Sequence, residues 1–171
     1  MSNRTQDTRL LVVFDDSDAS VRAVRYVAKL VAQRRQFRIC LVHVLPPFPP
    51  ALMEHGGSQD PLEERRLDLA LRAEQSRWIA TVKERAQKCL DQAVTILRRA
   101  GVSGRAVRTL FCEPGENQET ADSLLSMAKK YQCQTVVVGR RSVSWLHELF
   151  SQDLSEELLR RGKGFCIWAI E

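Results

Sequence analysis

Five short apolar runs, separated by segments of helical periodicity, constrain this chain more than any other feature. The runs are Leu10 to Phe14 (LLVVF), Phe37 to Leu45 (FRICLVHVL), Ala106 to Cys112, Thr135 to Val138 ending at Gly139, and Phe165 to Ile170 (FCIWAI). Short, nearly continuous apolar runs are what strands covered on both faces require. After the first run, Ser17 or Asp18 is placed to cap a helix in which Val24, Val27, Ala28 and Val31 recur at helical spacing up to Arg35. Asp60-Pro61-Leu62-Glu63 starts the next helix, with a capping acid, proline at the first position and a glutamate three residues after the cap. Its stripe is clear from Trp78 through Val82, Ala86, Leu90, Ala93, Val94 and Leu97 to Gly101, and weaker before (Leu62, Leu67, Leu69, Leu71). A continuous helix of about 40 residues would be some 60 Å long, wider than the domain, so a kink or a projecting end is expected. Helices are also expected from Thr120 to Tyr131 and from about Asp153 to Arg161. The order β-α-β-α-β-α-β-α-β predicts an α/β fold with a parallel, doubly wound sheet.

The length of 171 residues suits one domain, expected over 9–171, with the polar segment 1–8 as a disordered tail. Pro46 to Asp60 is a loop with four prolines and two glycines, and its "EHGGSQD" stretch is flexible and polar. No apolar run approaches the roughly 20 residues that span a bilayer, and the start carries no apolar signal core. The expectation is a soluble, cytoplasmic protein with no membrane partner.

The net charge of +5 raises nucleic acid as a partner. The basic residues, however, come as scattered doublets: Arg34-Arg35, Arg65-Arg66, Arg98-Arg99, Arg140-Arg141 and Arg160-Arg161. Three doublets fall at expected helix ends, where cations complement the helix dipole. No aromatic residues alternate with them as a stacking platform, so no nucleic-acid partner is expected. The five cysteines (Cys40, Cys89, Cys112, Cys133, Cys166) are widely spaced and form no CxxC pair, which argues against a disulfide framework or a zinc site. Three of them lie in strand-like runs and are expected to be buried.

Candidate chemistry is sparse. His43, in an apolar strand, reads as a packed histidine, and His55 as exposed; no metal-ligand spacing accompanies either. Ser142, Ser144 and His147 lie close in sequence without the G-x-S-x-G elbow, and no catalytic residue is assigned. Trp145 is a patch or a lid, Trp168 a core or interface residue, and Leu69 a contact for a partner on an otherwise charged face. Asp15, at the end of the first run, either contacts a ligand or caps the adjoining helix with Asp16 and Ser17.

The segments "LLVVFDDSDASVRAV", "CLVHVLPP" and "TVVVGRR…LSEELLRRGKGFCIWAI", in this element order, resemble the universal stress protein family over about Arg9 to Glu171. Asp15, Ser17 and Ala19 match the family's opening, with Asp16 replacing its glycine; His43, Val44 and Pro46 match the end of its second strand. The resemblance implies a five-stranded parallel sheet in the order 3-2-1-4-5, of the adenine nucleotide alpha-hydrolase-like class, and commonly a homodimer through the last strand, here Phe165, Ile167 and Trp168. It also implies a stress-response or regulatory role, with an unnamed regulatory partner, and in many members ATP at the ends of strands 1 and 4. Carried over by position, Asp15 and the backbone of Val44 would hold the adenosine half.

The family's phosphate sequence is Gly-x2-Gly-x9-Gly-(Ser/Thr). Gly139 opens it, but Ser142, Gln152 and Asp153 replace the other three anchors before Leu154 and Ser155 resume the pattern. Glycine serves where phosphate must approach the backbone without a Cβ in the way. An aspartate at a helix start takes up the donors a phosphate would use and repels it. Arg140 and Arg141 offer compensating charge. The expectation is a non-enzymatic protein that keeps the nucleotide frame and has lost the tight triphosphate grip, with no resident cofactor. The alternative is a switch that binds ATP or AMP through the modified loop.

Overall fold

The computed structural model describes residues 7–15, 17–54, 56–113, 119–140 and 154–171. Five strands, β1 (Thr8–Val13), β2 (Phe37–Val44), β3 (Val107–Cys112), β4 (Thr135–Gly139) and β5 (Cys166–Ile170), form one parallel sheet in the order β3-β2-β1-β4-β5. The helices are α1 (Asp18–Val31), α2 (Pro61–Arg99), α3 (Thr120–Lys130) and α4 (Leu154–Arg161), with short 3-10 turns at Pro50–Leu52 and Gly104–Ala106. Thr8, expected in the tail, pairs with Phe37 and so belongs to β1. Asp7 of the expected tail pairs with Arg38, and residues 1–6 lie outside the described residues.

Two apolar clusters sandwich the sheet. On one face, Leu10, Val12 and Phe14 meet α1 (Ala23, Val24, Val27, Ala28, Val31) and the last turns of α2 (Leu90, Ala93, Leu97). On the other, Leu11, Val13, Cys40 and Val42 meet α3 (Ala121, Leu124, Ala128) and Leu158 of α4. The period-2 alternation along β1 thus feeds both cores, which is why the run shows no polar interruption.

Helix α2 is one continuous helix of 39 residues, of which Ala86, Cys89, Leu90, Ala93 and Leu97 are the buried residues. In its first half, Leu62 and Leu69 are exposed. The loop before it braces this half. Phe48 packs on Trp78 (ring centroids 5.1 Å apart), Gln75 Nε2 donates to Leu52 O at 2.8 Å, and Ser58 N donates to Glu64 Oε2 at 2.6 Å.

One expected burial fails. Cys40 and Cys112 are buried, but Cys166 is exposed, because β5 is an edge strand with only β4 beside it. Trp168 on the same strand is half-buried against the α1 core and meets Tyr26 edge-on, ring centroids 6.4 Å apart.

Candidate functional site

The chain winds from β1 to β2 to β3, then crosses back past β1 to lay down β4 and β5. The carboxyl ends of β1 and β4 are therefore the switch point, the place where sheets of this kind bind ligands. Val13, the last residue of β1, pairs with Val42, and Val12 pairs with Val137. Asp15, Val44 and Arg140 each follow one of these paired residues by two or three positions, at the carboxyl ends of β1, β2 and β4.

Asp15 organises the turn into α1. Its Oδ1 accepts from Ser17 N at 3.2 Å and from Ser17 Oγ at 2.7 Å. Ser17 Oγ in turn accepts from Ser20 N at 3.2 Å, and Ser20 Oγ donates to Ser17 O at 2.9 Å. Ser17 is the N-cap and leaves Asp18 in the first turn, where its charge favours the helix dipole. One carboxylate oxygen of Asp15 thus serves the capping turn. The other accepts no hydrogen bond among the described residues. Buried Ser20 was not singled out from sequence, although its Ser17-x-x-Ser20 spacing is a capping signal.

Gly139 ends β4 against the first turn of α1. A Cβ there would stand 2.4 Å from the carbonyl carbon of Ala19 and 2.7 Å from Ser20 N. The position needs glycine for packing whether or not a phosphate ever approaches. Arg140 is turned toward β5: its N–H donates to Ile170 O at 2.6 Å and its guanidinium pairs with Glu171 at 2.6 Å. Both side chains of this pair are largely exposed, so the pair is worth little and opens at small cost.

Leu154 begins α4 and packs partly buried against the α3/α4 core, next to buried Ser155 and Leu158. The helix is clamped by Arg161, which pairs with Glu119, Asp122 (2.8 Å) and Glu157 (2.7 Å). Hydrogen bonds from Arg160 and Arg161 hold the Glu157 carboxyl below its usual range. This clamp ties the last turn of α4 to the start of α3, and the basic doublet that contains Arg161 was read from sequence only as a helix-end pair. Arg141, Ser142, Gln152 and Asp153, together with Asp16, His55, Ser144, Trp145 and His147, lie outside the described residues.

His43 is half-buried in β2, opposite Phe111. No group of three or more potential metal ligands occurs among the described residues. No helix among them is long and apolar enough to cross a membrane. A cavity of about 660 Å³ lies at the opposite end of the sheet, lined by Arg34, Arg35, Arg38 and Arg105 among others. Arg38 is committed there to Arg35 O, Phe37 O and Asp7.

Residues 8–163 match the family model described as the universal stress protein family. The fold is shared with a universal stress family protein from Burkholderia pseudomallei, at 21% identity and TM-score 0.63 over 99% of this chain and 98% of that one. It is shared with the universal stress protein of Archaeoglobus fulgidus in complex with dAMP, at 17% identity and TM-score 0.56 over 96% and 98%. An Arabidopsis thaliana family protein with AMP bound matches at 14% identity and TM-score 0.52 over 95% and 90%. No curated protein matches the chain. From the family match over nearly all of its length, and the 3-2-1-4-5 parallel sheet that accompanies it, this chain belongs to the universal stress protein family.

Proposed function

We propose that this chain is a non-enzymatic regulatory protein of the cytoplasmic stress response that does not bind ATP tightly. The observation that carries this reading is the substitution of three of the four phosphate anchors, by Ser142, Gln152 and Asp153, after a Gly139 that packing alone demands. With that glycine explained by its contact with α1, only the charges of Arg140 and Arg141 speak for a phosphate in the sequence from 139 to 153. The adenosine half is a different matter. Asp15 has a carboxylate oxygen that the capping turn does not use and follows the end of β1, next to the strand that ends at Val44, which supports a second reading: a switch that takes AMP or a nucleoside. Family neighbours described with dAMP and AMP point to the same ligand class.

Calorimetry with adenosine, AMP and ATP tests both readings. The wild type is expected to give little or no heat with ATP. The triple change Ser142→Gly, Gln152→Gly and Asp153→Ser restores the family spacing and removes one carboxylate. Losing one like-charge contact and gaining one or two charge-assisted hydrogen bonds is worth about 2–4 kcal/mol, or roughly 30- to 1,000-fold in affinity. Tight ATP binding by the wild type, unchanged by the triple substitution, overturns the first reading. AMP binding that Asp15→Asn weakens at least tenfold establishes the second.

A further inference from the structure

Helices α1 and α2 both end at the amino end of the sheet, opposite the switch point. Each is followed by a residue in the left-handed region, Gln33 at φ 62° and Gly101 at φ 89°, which turns the chain out of the helix. The turn after α1 carries Arg34 and Arg35, and the turn after α2 leads through Ser103 to Arg105. These two turns and the start of β2 line the cavity of about 660 Å³.

The cavity has an apolar floor and cationic walls. Val31, Ile39 and Val102 are buried members of the α1/α2 core, and Phe37 packs partly buried against that core. Arg34, Arg35 and Arg105 line the cavity from exposed positions, and Arg38 from a half-buried one. A Cβ on Gly104 would stand 3.1 Å from a guanidinium nitrogen of Arg98, so a fifth cation lies against the same turn.

Little on the protein answers this charge. Arg38 pairs with Asp7 at 3.5 Å. Among the described residues no carboxylate pairs with Arg34, Arg35, Arg98 or Arg105. The six residues before Asp7 include no acid. The carboxyl ends of the two helices bring about half a negative charge each. Together with Asp7 they offset about two of the four lining guanidinium charges and leave about two unanswered.

We propose that this cavity binds a small phosphate monoester with an apolar body. The phosphate, with close to two negative charges at neutral pH, meets Arg34, Arg35 and Arg105, whose planar N–H forks suit its oxygens. The body lies over Phe37, Ile39 and Val102, in a volume of the size that holds small organic ligands. A nucleic-acid backbone would follow the cations and leave the apolar floor unused. The site is independent of the nucleotide reading, because Asp15 stands at the other end of the strands.

Calorimetry of the full chain with phenyl phosphate tests the proposal, with phenol and inorganic phosphate as the two halves of the probe. One site per chain is expected, with each half about tenfold weaker or more. Arg34→Gln combined with Arg105→Gln should weaken phenyl phosphate by about tenfold or more through lost charge-assisted hydrogen bonds. Both side chains are exposed, so Tm should hold within about 2 °C. Arg65→Gln combined with Arg66→Gln removes the same charge from the exposed start of α2 and should bind as the wild type does, as should Asp15→Asn. Equal weakening by the Arg65 and Arg66 changes would mean that net charge alone draws the probe, and weakening by Asp15→Asn would move it to the switch point; either result overturns the proposal. Three wild-type results overturn it without any variant: no heat up to about 1 mM phenyl phosphate, inorganic phosphate binding as tightly as the ester, or displacement of the ester by a single-stranded oligonucleotide.

Discussion

A methyl group at Gly139 would collide with backbone atoms of α1, which cannot swing aside as a side chain can. Gly139→Ala is therefore expected to cost about 2–3 kcal/mol, as overpacking of a rigid contact does. That lowers Tm by roughly 4–12 °C for a domain of this size, read by scanning calorimetry. An unchanged Tm would free the glycine for a ligand role. Cys112 gives a second residue-scale test. Burial, with a smaller push from Glu113, raises its thiol from the usual 9 to about 11. The folded value lies above the unfolded one, so its contribution is full below about pH 9 and is lost as pH climbs through about 11. At about 1.4 kcal/mol per unit, the loss is some 2–3 kcal/mol. Urea unfolding at about pH 8 and about pH 11 should show wild type falling about 2 kcal/mol further than Cys112→Ala between the two. Parallel declines would mean that Cys112 is not the group titrating.

Helix α2 spans 39 residues, about 58 Å at 1.5 Å per residue, and only its last third is anchored in the core. Its first half carries the exposed i,i+3 pair Glu63–Arg66 and the brace from the 46–60 loop. The brace holds the loop at Phe48, Leu52 and Ser58, leaving Glu54, Gly56 and Gly57 exposed between the ties. Limited proteolysis should cut there first, between Met53 and Gly57. Replacing Gln75 and Trp78 by alanine removes one hydrogen bond and one aromatic contact, together about 1–3 kcal/mol of local stability. Cleavage should then be roughly 5- to 100-fold faster, by mass spectrometry of the early fragments. First cleavage within α2 in the wild type would mean that the brace does not hold.

Among the described residues β5 is an edge strand, with its main chain paired to β4. An apolar edge of this kind tends to recruit another strand, and a second copy across a two-fold axis is the simplest partner. Ile167, Trp168 and Phe165, expected at this interface, are also packed partly into the two cores, so charging them would damage the fold as well. Ala169 is exposed and separates the two effects. Ala169→Lys should leave Tm within about 2 °C, since surface substitutions away from packed features cost little. In sedimentation it should weaken association by about tenfold or more, through like charge at the edge. A wild type that sediments as a monomer at high concentration removes the dimer.

Local chemistry in the chain determined the alternation of strands and helices, the Ser17 and Asp60 caps and the parallel sheet, because apolar period, capping residues and run length act between near neighbours. The strand order came through the resemblance and agrees with the sheet. Asp15, Val44 and Gly139 were named from sequence, and they lie at or just past the carboxyl ends of β1, β2 and β4. Only the tertiary structure decided that Arg140 faces Glu171, that Gly139 is fixed by α1, and that Cys166 is exposed. Each of these joins residues far apart in the chain, and a period of two or 3.6 says which face a residue takes without saying which strand or helix arrives opposite it.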